Sequence, residues 1–182
     1  MKRLPLIAAM LCCIVCASAE QAHRPAASQD GIDVFFSPDG GAAAAVVHNV
    51  AQAKKTLIIA AYSVTHKDIA KAIVDAHKRG ISVTVLMDKT QAAGRYSSAT
   101  FLHNAGVPVW IDATGGLMHH KFAVIDHATL LTGSFNWTTS GDEDNAENLL
   151  VIRDKGKLTK AFSDEFYKQI QNAKRYERPE SD

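Results

Sequence analysis

Four side chains in the second half of the sequence have types and spacing suited to chemistry. His119 and Lys121 alternate at the start of an apolar run that ends at Asp126. Ser134 and Asn136 alternate a few residues further on. Successive side chains of a β-strand point to opposite faces, so the two members of each pair share a face. A short connection between the two runs would bring the pairs side by side.

Together these side chains supply an imidazole, an ammonium, a hydroxyl and a carboxamide. A tetrahedral phosphate is stabilised by such a set, because cationic and neutral donors bind its oxygens and a nucleophile or proton carrier completes the site. Glu147 adds a carboxylate just before another apolar run. A serine hydrolase is not indicated, because Ser134 lies in Gly-Ser-Phe-Asn and not in the Gly-x-Ser-x-Gly turn that exposes a nucleophile.

A metal centre is the main chemical alternative. The possible ligands are His119, His120, Asp126 and His127, all of types that zinc accepts. The adjacent histidines face opposite sides of a strand, however, and the ammonium of Lys121 would repel a cation. No carboxylate cluster suited to magnesium lies nearby in the sequence. We therefore expect chemistry without a metal or any other cofactor.

The N-terminal segment has the three parts of an export signal. It begins with a basic start, continues through an apolar run over residues 4–16 that is too short to span a bilayer comfortably, and ends in the small-x-small pattern Ala17-Ser18-Ala19. We expect residues 1–19 to be a signal peptide, with export to the periplasm or the medium and no stable membrane anchor after cleavage. An uncleaved anchor is the alternative.

Cleavage would also change the chemistry that the chain can perform. All three cysteines lie in the signal segment, so the mature chain would have no disulfide, thiol nucleophile or thiolate metal site. The full chain has 20 Lys and Arg against 19 Asp and Glu, and loss of Lys2 and Arg3 leaves 18 against 19. Bulk charge therefore does not indicate a nucleic-acid binder, and any affinity for a polyanion must be local. The candidates to extend a basic groove are Lys78, Arg79, Lys89 and Arg95.

Strand-like runs alternate with helical patterns along the 182 residues. This alternation predicts an α/β fold, a layered sandwich with a largely parallel mixed sheet flanked by helices. The predicted divisions are a flexible lead-in at 20–31, one catalytic domain at 32–175 and a tail at 176–182. The strand candidates are 32–36, 57–62, 82–87, 107–111, 117–125, 129–133 and 149–152, and the helix candidates are 42–55, 68–79, 98–104 and 158–173.

The arrangement of the motif resembles the signature of the phospholipase D superfamily. The matching positions are His119-x-Lys121, four residues, Asp126, and then Gly133-Ser134-x-Asn136. The segments Val34–Pro38, Ile59–Ser63, Arg79–Val83 and Glu147–Ile152 resemble the small bacterial endonuclease branch of that superfamily. The resemblance covers nearly the whole mature chain and implies the phospholipase D/nuclease fold.

The resemblance also implies roles for individual residues. His119 would attack the phosphodiester and form a phosphohistidine intermediate without a metal. Lys121 and Asn136 would hold the non-bridging oxygens with help from Ser134. A second histidine would protonate the leaving oxygen and later activate water.

Two carboxylates complete the set that the resemblance implies. Glu147 would accept a hydrogen bond from the second ring nitrogen of His119 and fix its tautomer. Asp126 would support the site structurally and would not carry protons. The superfamily needs two motifs in each active site and this chain has one, so the resemblance implies a homodimer in which both copies of His119 meet.

The sequence leaves three functions to be separated. The favoured one is a sequence-nonspecific endonuclease that hydrolyses DNA, and RNA as well, because an open groove lined with donors reads a phosphate backbone and not the bases. The second is a phospholipase D that cleaves lipid head groups by the same chemistry. The third is a non-catalytic DNA-binding module, which the intact set of site residues disfavours.

Overall fold

In the computed structural model, the chain is described over residues 24–92 and 97–177. The predicted signal segment and Arg95 lie outside these ranges. The strands are β1 (Ala27–Gln29), β2 (Ile32–Ser37), β3 (Thr56–Ala61), β4 (Ser82–Met87), β5 (Val109–Asp112), β6 (Lys121–Ile125), β7 (Thr129–Gly133), β8 (Glu147–Arg153) and β9 (Ala173–Arg175). The helices are α1 (Ala42–Ala51), α2 (Lys67–Lys78), α3 (Ser98–Asn104), α4 (Thr139–Glu143) and α5 (Gly156–Ile170).

The nine strands form one sheet in the order β1-β2-β8-β7-β6-β3-β4-β5-β9. Side chains of β3 alternate between two cores, as the period of a strand requires. Leu57 and Ile59 pack with residues of α1, α2 and α3, whereas Ile58 and Ala60 pack on the opposite face with Phe166 of α5. The predicted α/β fold, a mixed sheet flanked by helices, is confirmed.

The expectation that the sheet is largely parallel is wrong. Among the described strands, parallel pairing is confined to β3–β4 and β4–β5, and the other pairs are antiparallel. A parallel pair needs a long crossover, which here is supplied by α2 and α3. Strand β7 follows β6 after three residues, and so short a connection permits only an antiparallel partner.

Both ends of the described domain extend further than expected. Residues 27–29 of the predicted lead-in form β1, because Asp30 (φ 50°) and Gly31 (φ 80°) make a tight hairpin turn into β2. Tyr176, predicted to belong to the tail, is 4% exposed, and its hydroxyl lies 2.7 Å from Thr100 Oγ1. Within residues 24–92 and 97–177, no helix has the length and apolar character needed to cross a bilayer.

The register brings several strand ends to one edge of the sheet. Ala61 pairs with Lys121 on one side and with Met87 on the other. In β8, which is two strands away from β6, Glu147 pairs with Ser37 of β2. The loops that follow or precede these residues therefore lie together, and they include the loop that carries His119.

The opposite edge of the sheet is held together by Asp126. This residue and His127 both have positive φ (52° and 57°) in the turn between β6 and β7. The carboxylate of Asp126 accepts hydrogen bonds from the backbone N–H groups of Lys54 (2.9 Å), Lys55 (2.7 Å) and Thr56 (2.9 Å). Burial raises the pKa of Asp126, whereas these three bonds and the charge of Lys54 lower it. The lowering effects together are larger, so the pKa lies below the usual value of an aspartate.

We predict that Asp126→Ala lowers the free energy of unfolding by about 1–2 kcal/mol relative to Asp154→Ala. Three backbone amides lose a charged acceptor, and the loss is moderated because water can bond to the amides that are exposed. Asp154 is a matched control, since it is exposed and also has positive φ (57°). Urea unfolding at neutral pH measures the difference, and equal values for the two variants would contradict the assignment. Because the folded pKa is lowered, the difference should disappear as the pH falls through it.

Candidate active site

Five of the six predicted site residues line one pocket at the edge where β3 and β4 end. The pocket has a volume of about 410 Å³ and is lined by His119, Lys121, Gly133, Ser134, Asn136 and Glu147. Strand β6 supplies the lysine, the loop before it supplies the histidine, and the turn after β7 supplies the hydroxyl and the carboxamide. The predicted meeting of an imidazole, an ammonium, a hydroxyl and a carboxamide is therefore seen in the fold.

The histidine and the lysine are in direct contact. His119 is exposed, whereas Lys121 is 9% exposed. Nζ of Lys121 lies 2.9 Å from Nδ1 and 3.0 Å from Nε2 of His119, and it donates to the backbone oxygen of His119 at 3.0 Å. Because Nζ is nearly equidistant from both ring nitrogens, it lies over the face of the imidazole and not along the in-plane lone pair of either nitrogen.

Tyr62 forms a wall behind both groups. Its ring centroid is 4.7 Å from that of His119, and Nζ of Lys121 lies 5.4 Å from the same ring. The face of an aromatic ring attracts a cation at this distance. The backbone N–H of Tyr62 also donates to the oxygen of His120 at 2.8 Å, which continues the pairing of β3 and β6 beyond their ends.

Burial and a nearby carboxylate act in opposite directions on the lysine. Burial lowers the pKa of Lys121 below its usual value, because desolvation disfavours the ammonium. The negative charge of Glu147 raises that pKa in part. The pocket thus contains a cation whose solvation is reduced, which strengthens its attraction for an anion.

The hydroxyl of Ser134 is oriented by the neighbouring strand. Its oxygen accepts hydrogen bonds from the backbone N–H of Asn148 (3.0 Å) and from Nδ2 of Asn148 (3.1 Å). The hydroxyl proton therefore remains available for a ligand in the pocket. Gly133 is required for this approach, since a Cβ there would lie 2.2 Å from the backbone oxygen of Asn148.

Asn136 lies between two large apolar side chains that anchor its turn. Phe135 and Trp137 are both fully buried, and the oxygen of Trp137 accepts hydrogen bonds from the backbone N–H groups of Thr65 and His66, each at 2.9 Å. Oδ1 of Asn136 is buried and has no hydrogen-bond partner among the described residues. The Nδ2 end is thus the one available to donate into the pocket.

Glu147 lines the pocket but does not contact His119 as the resemblance implied. Among the described residues, its carboxylate accepts one hydrogen bond, from Nδ2 of Asn145 at 3.4 Å. Both ring nitrogens of His119 instead face the ammonium of Lys121. In this arrangement the charge of Glu147 acts on Lys121.

Asp126, the sixth predicted site residue, is not part of the pocket. It lies at the far end of β6, about 16 Å along the strand from Lys121, where it binds backbone amides. Of the residues predicted to extend a basic groove, Lys78 and Arg79 do not lie at the pocket, and Arg95 lies outside the described residues. Lys78 and Arg79 end the twelve-residue helix α2, which begins at the pocket edge and carries them about 18 Å away. Lys89 lies at the pocket edge and donates to the oxygens of Thr114 and Gly115.

The remaining histidines of this region do not join the pocket. His120 faces the opposite side of the sheet from His119 and packs edge-on against Phe122, with ring centroids 5.4 Å apart. Burial lowers the pKa of His120, and the charge of Glu165 raises it in part. His127 lies in the turn at the other edge. In the ranges that the structure describes, no three His, Cys, Asp or Glu side chains are grouped as metal ligands.

Sequence reasoning did not identify three residues that shape the pocket: Tyr62, Asp88 and Asn148. Tyr62 and Asp88 directly follow β3 and β4, and a polar residue immediately after a buried strand could have indicated them. Asp88 accepts a hydrogen bond from the backbone N–H of Met118, next to His119. The contact of Asn148 with Ser134 depends on the pairing of β7 with β8, which the spacing within either strand does not specify.

Known proteins share the sequence and the fold. A family model described as "Cardiolipin synthase, PLD-like domain" matches residues 46–170. A phospholipase D of Rickettsia prowazekii is 32% identical over 135 residues, which cover 74% of this chain and 65% of that protein. A mitochondrial cardiolipin hydrolase of Chlamydomonas reinhardtii is 39% identical over 116 residues, or 64% of this chain and 52% of that protein. The matches thus cover less than two thirds of either relative.

Two solved structures match this chain over nearly their full length. Nuc from Salmonella typhimurium, a phospholipase D family member, has a TM-score of 0.76 and 33% identity, with 80% of this chain and 97% of that chain covered. NucT from Helicobacter pylori has a TM-score of 0.71 and 26% identity, with 78% and 96% covered.

We predict that Glu147→Gln lowers the pKa of Lys121 further, because it removes the negative charge that opposes the effect of burial. An NMR titration of ¹³Cε-labelled lysines measures this pKa. Glu143→Gln is the control, since it removes a carboxylate in α4 that does not line the pocket. An unchanged Lys121 titration in Glu147→Gln, or an equal shift in the control, would contradict the assignment.

Proposed function

The chain belongs to the phospholipase D superfamily, and from this premise we propose that it is a metal-independent phosphodiester hydrolase whose substrate is DNA, with RNA also cleaved. The observation that carries the proposal is the contact between the exposed imidazole of His119 and the buried ammonium of Lys121 in one open pocket. A nucleophile and a cation that can bind an oxygen are thus close enough to contact the same phosphate.

In the proposed first step, a ring nitrogen of His119 attacks phosphorus with its lone pair. A P–N bond forms, the bond from phosphorus to the leaving oxygen breaks, and the leaving oxygen receives a proton from a second imidazole. In the second step, water attacks the phosphohistidine and the P–N bond breaks. The second imidazole takes the proton from the water, and His119 is regenerated.

The other pocket residues act on the non-bridging oxygens. Lys121 exchanges its contact with the ring of His119 for a phosphate oxygen, while the in-plane lone pair of the ring stays directed at phosphorus. The hydroxyl proton of Ser134 and Nδ2 of Asn136 donate to the same oxygens, where negative charge grows in the transition state. These donors are held by β6, by β8 and by the turn around Trp137, so little reorganisation is needed when the phosphate binds.

A homodimer supplies the second imidazole in this proposal. The described residues place one His119 in the pocket, and neither His120 nor His127 lines it. Because His119 is exposed at an open edge of the sheet, a twofold axis close to that edge would bring the two copies of His119 to opposite sides of one phosphate. Two protomers would then form one complete active site.

The openness of the site supports a polymeric substrate. His119 is exposed, and the pocket lies at a sheet edge where a strand can pass over it. Such a site contacts the phosphate of a nucleic acid without reading the bases, which gives cleavage without sequence preference. The fold of this chain matches 97% of the Nuc chain, so Nuc has few residues outside the shared fold.

A phospholipid substrate is the second candidate, and one observation favours it. Leu117 is 59% exposed and lies two residues before His119, where an apolar side chain can enter a lipid surface. The relatives from Rickettsia prowazekii and Chlamydomonas reinhardtii are named as a phospholipase D and a cardiolipin hydrolase. The chemistry at phosphorus is the same for either substrate.

We predict that the purified protein nicks plasmid DNA in excess chelator and that His119→Ala lowers the rate by at least about 1000-fold, because the nucleophile is lost. His127→Asn, which changes an exposed histidine outside the pocket, should keep full activity. Cleavage is followed on agarose gels. Parallel assays use RNA and vesicles of phosphatidylcholine or cardiolipin.

The results of those assays distinguish between the candidate functions. Loss of DNA cleavage on chelation would refute the metal-independent mechanism. Hydrolysis of phospholipid without DNA cleavage would assign the site to lipid. Retardation of DNA without turnover would identify a binding module.

The shared site predicts a specific effect of mixing subunits. In an equal co-expressed mixture of wild type and His119→Ala, random pairing leaves about one quarter of the dimers with two histidines, so activity should fall to about one quarter. Independent monomeric sites would keep about half. An equal mixture of wild type with His127→Asn is the control and should keep full activity. A mixture that retains half of the wild-type activity would contradict the shared site.

A further inference from the structure

Asp88 is a buried carboxylate that the proposed chemistry does not use. It follows β4 directly and has no exposed surface. Its Oδ1 accepts hydrogen bonds from the N–H (2.8 Å) and Oγ1 (2.7 Å) of Thr90, and its Oδ2 accepts one from the N–H of Met118 (2.8 Å). A buried carboxylate remains ionised when its oxygens are satisfied in this way, and the pKa of Asp88 is lowered by these bonds in spite of its burial, which raises it.

The bond to Met118 ties down the residue immediately before the candidate nucleophile. On the other side of His119, the oxygen of His120 accepts the hydrogen bond from Tyr62. The backbone of His119 is therefore held between the ends of two neighbouring strands, β3 and β4. Met118 itself is 4% exposed, so this tether lies under the surface of the protein.

The segment on the N-terminal side of this tether has few other constraints. Residues 113–117 are exposed, and a Cβ added at Gly115 or Gly116 would meet no atom within 4 Å. Thr114 is fixed by Asp112 at the end of β5, and Lys89 donates to the oxygens of Thr114 and Gly115. From Gly116 to Met118, the bond to Asp88 is the one backbone hydrogen bond that the described residues make, and the next backbone contact is the bond from Nζ of Lys121 to the oxygen of His119.

We infer that Asp88 is a positioning residue that fixes the backbone of His119 through the amide of Met118, and so sets the direction from which the imidazole meets the phosphate. The inference rests on the proposed function. An amide donates more strongly to a charged acceptor than to a neutral one, so the tether is stiff. Asp88 does not line the pocket and touches no reacting atom.

Such a role affects turnover more than binding. Ser134 and Asn136 hold the phosphate from other elements, and the backbone of Lys121 is fixed by its pairing with Ala61, so most of the binding groups keep their positions when the tether is lost. A displacement of a nucleophile by about 1 Å lowers the rate by up to about 100-fold. We therefore predict that Asp88→Asn lowers kcat about 10- to 100-fold, while KM stays within about threefold.

The experiment compares Asp88→Asn with Thr90→Val. An asparagine at position 88 is neutral and has one acceptor oxygen for the two N–H groups, so the bond to Met118 is either lost or weakened from a charged to a neutral one. Thr90→Val removes a hydrogen bond to the same carboxylate and keeps the bond to Met118. The kinetic substrate is bis(4-nitrophenyl) phosphate, which reports hydrolysis without a polymer or a membrane. Thermal unfolding of each variant separates lost stability from lost turnover.

Hydrogen exchange of backbone amides gives a readout that does not depend on activity. In the wild-type protein, the Met118 amide should exchange at least about 10-fold more slowly than the amides of Gly115 and Gly116, because it is buried and bonded. In Asp88→Asn this protection should fall, and in Thr90→Val it should remain. The wild-type measurement holds even if the Asp88 variant does not fold.

The outcomes distinguish this inference from the proposed function. Equal exchange of the Met118 and Gly115 amides in the wild-type protein would overturn the tether. An unchanged kcat in Asp88→Asn with loss of Met118 protection would overturn its role in positioning, as would an equal fall of kcat in Thr90→Val. A wild-type protein that protects Met118 but hydrolyses no phosphodiester would overturn the proposed function and, with it, the positioning role, while the tether itself would stand.

Discussion

The burial of the Lys121 ammonium is the constraint on which the rest of the site depends. Lys121 as a residue is 9% exposed, so its ammonium is partly withdrawn from water, and such a charge needs compensating partners. Its partners here are the ring nitrogens and the backbone oxygen of His119, the face of Tyr62 and the more distant charge of Glu147. None of these is a carboxylate in direct contact. An anionic phosphate oxygen would be a stronger partner, so the pocket is prearranged for the ligand that the chemistry requires.

The sheet places this lysine by its register. Pairing of Lys121 with Ala61 sets it at the edge where β3 and β4 end. The residues that follow those two strands are Tyr62 and Asp88. The backbone N–H of Tyr62 donates to the oxygen of His120, and the carboxylate of Asp88 accepts from the N–H of Met118, so His119 is held from both sides. The loop with His119 is thus held by residues that directly follow two strands, and neither strand lines the pocket. The parallel β3–β4 pair matters for function because it brings both of these residues to the same end of the molecule.

Much of the site could be predicted from the sequence because it depends on local spacing. The alternation of His119 with Lys121 and of Ser134 with Asn136 indicated both pairs, although His119 lies just before β6 and not within it. The contribution of Tyr62, Asp88 and Asn148 depends on which strands are neighbours. That information comes from long-range packing, and the same limit explains why the sheet was expected to be largely parallel when antiparallel pairs predominate. Lys78 and Arg79 show the converse, since helix α2 carries them away from the pocket.

The fixed spacing between Lys121 and Asp126 follows from the length of one strand. Between them lie Phe122 to Ile125, which fill β6 and alternate between the two cores of the sheet. The lysine emerges at the edge with the pocket, and the aspartate emerges at the opposite edge, where it joins the β6–β7 turn to the start of β3. One extra residue in this stretch would turn Lys121 to the opposite face or move Asp126 away from its three amides. The spacing is therefore a requirement of the sheet, in which Asp126 fixes one end of β6 and Lys121 enters the pocket at the other end.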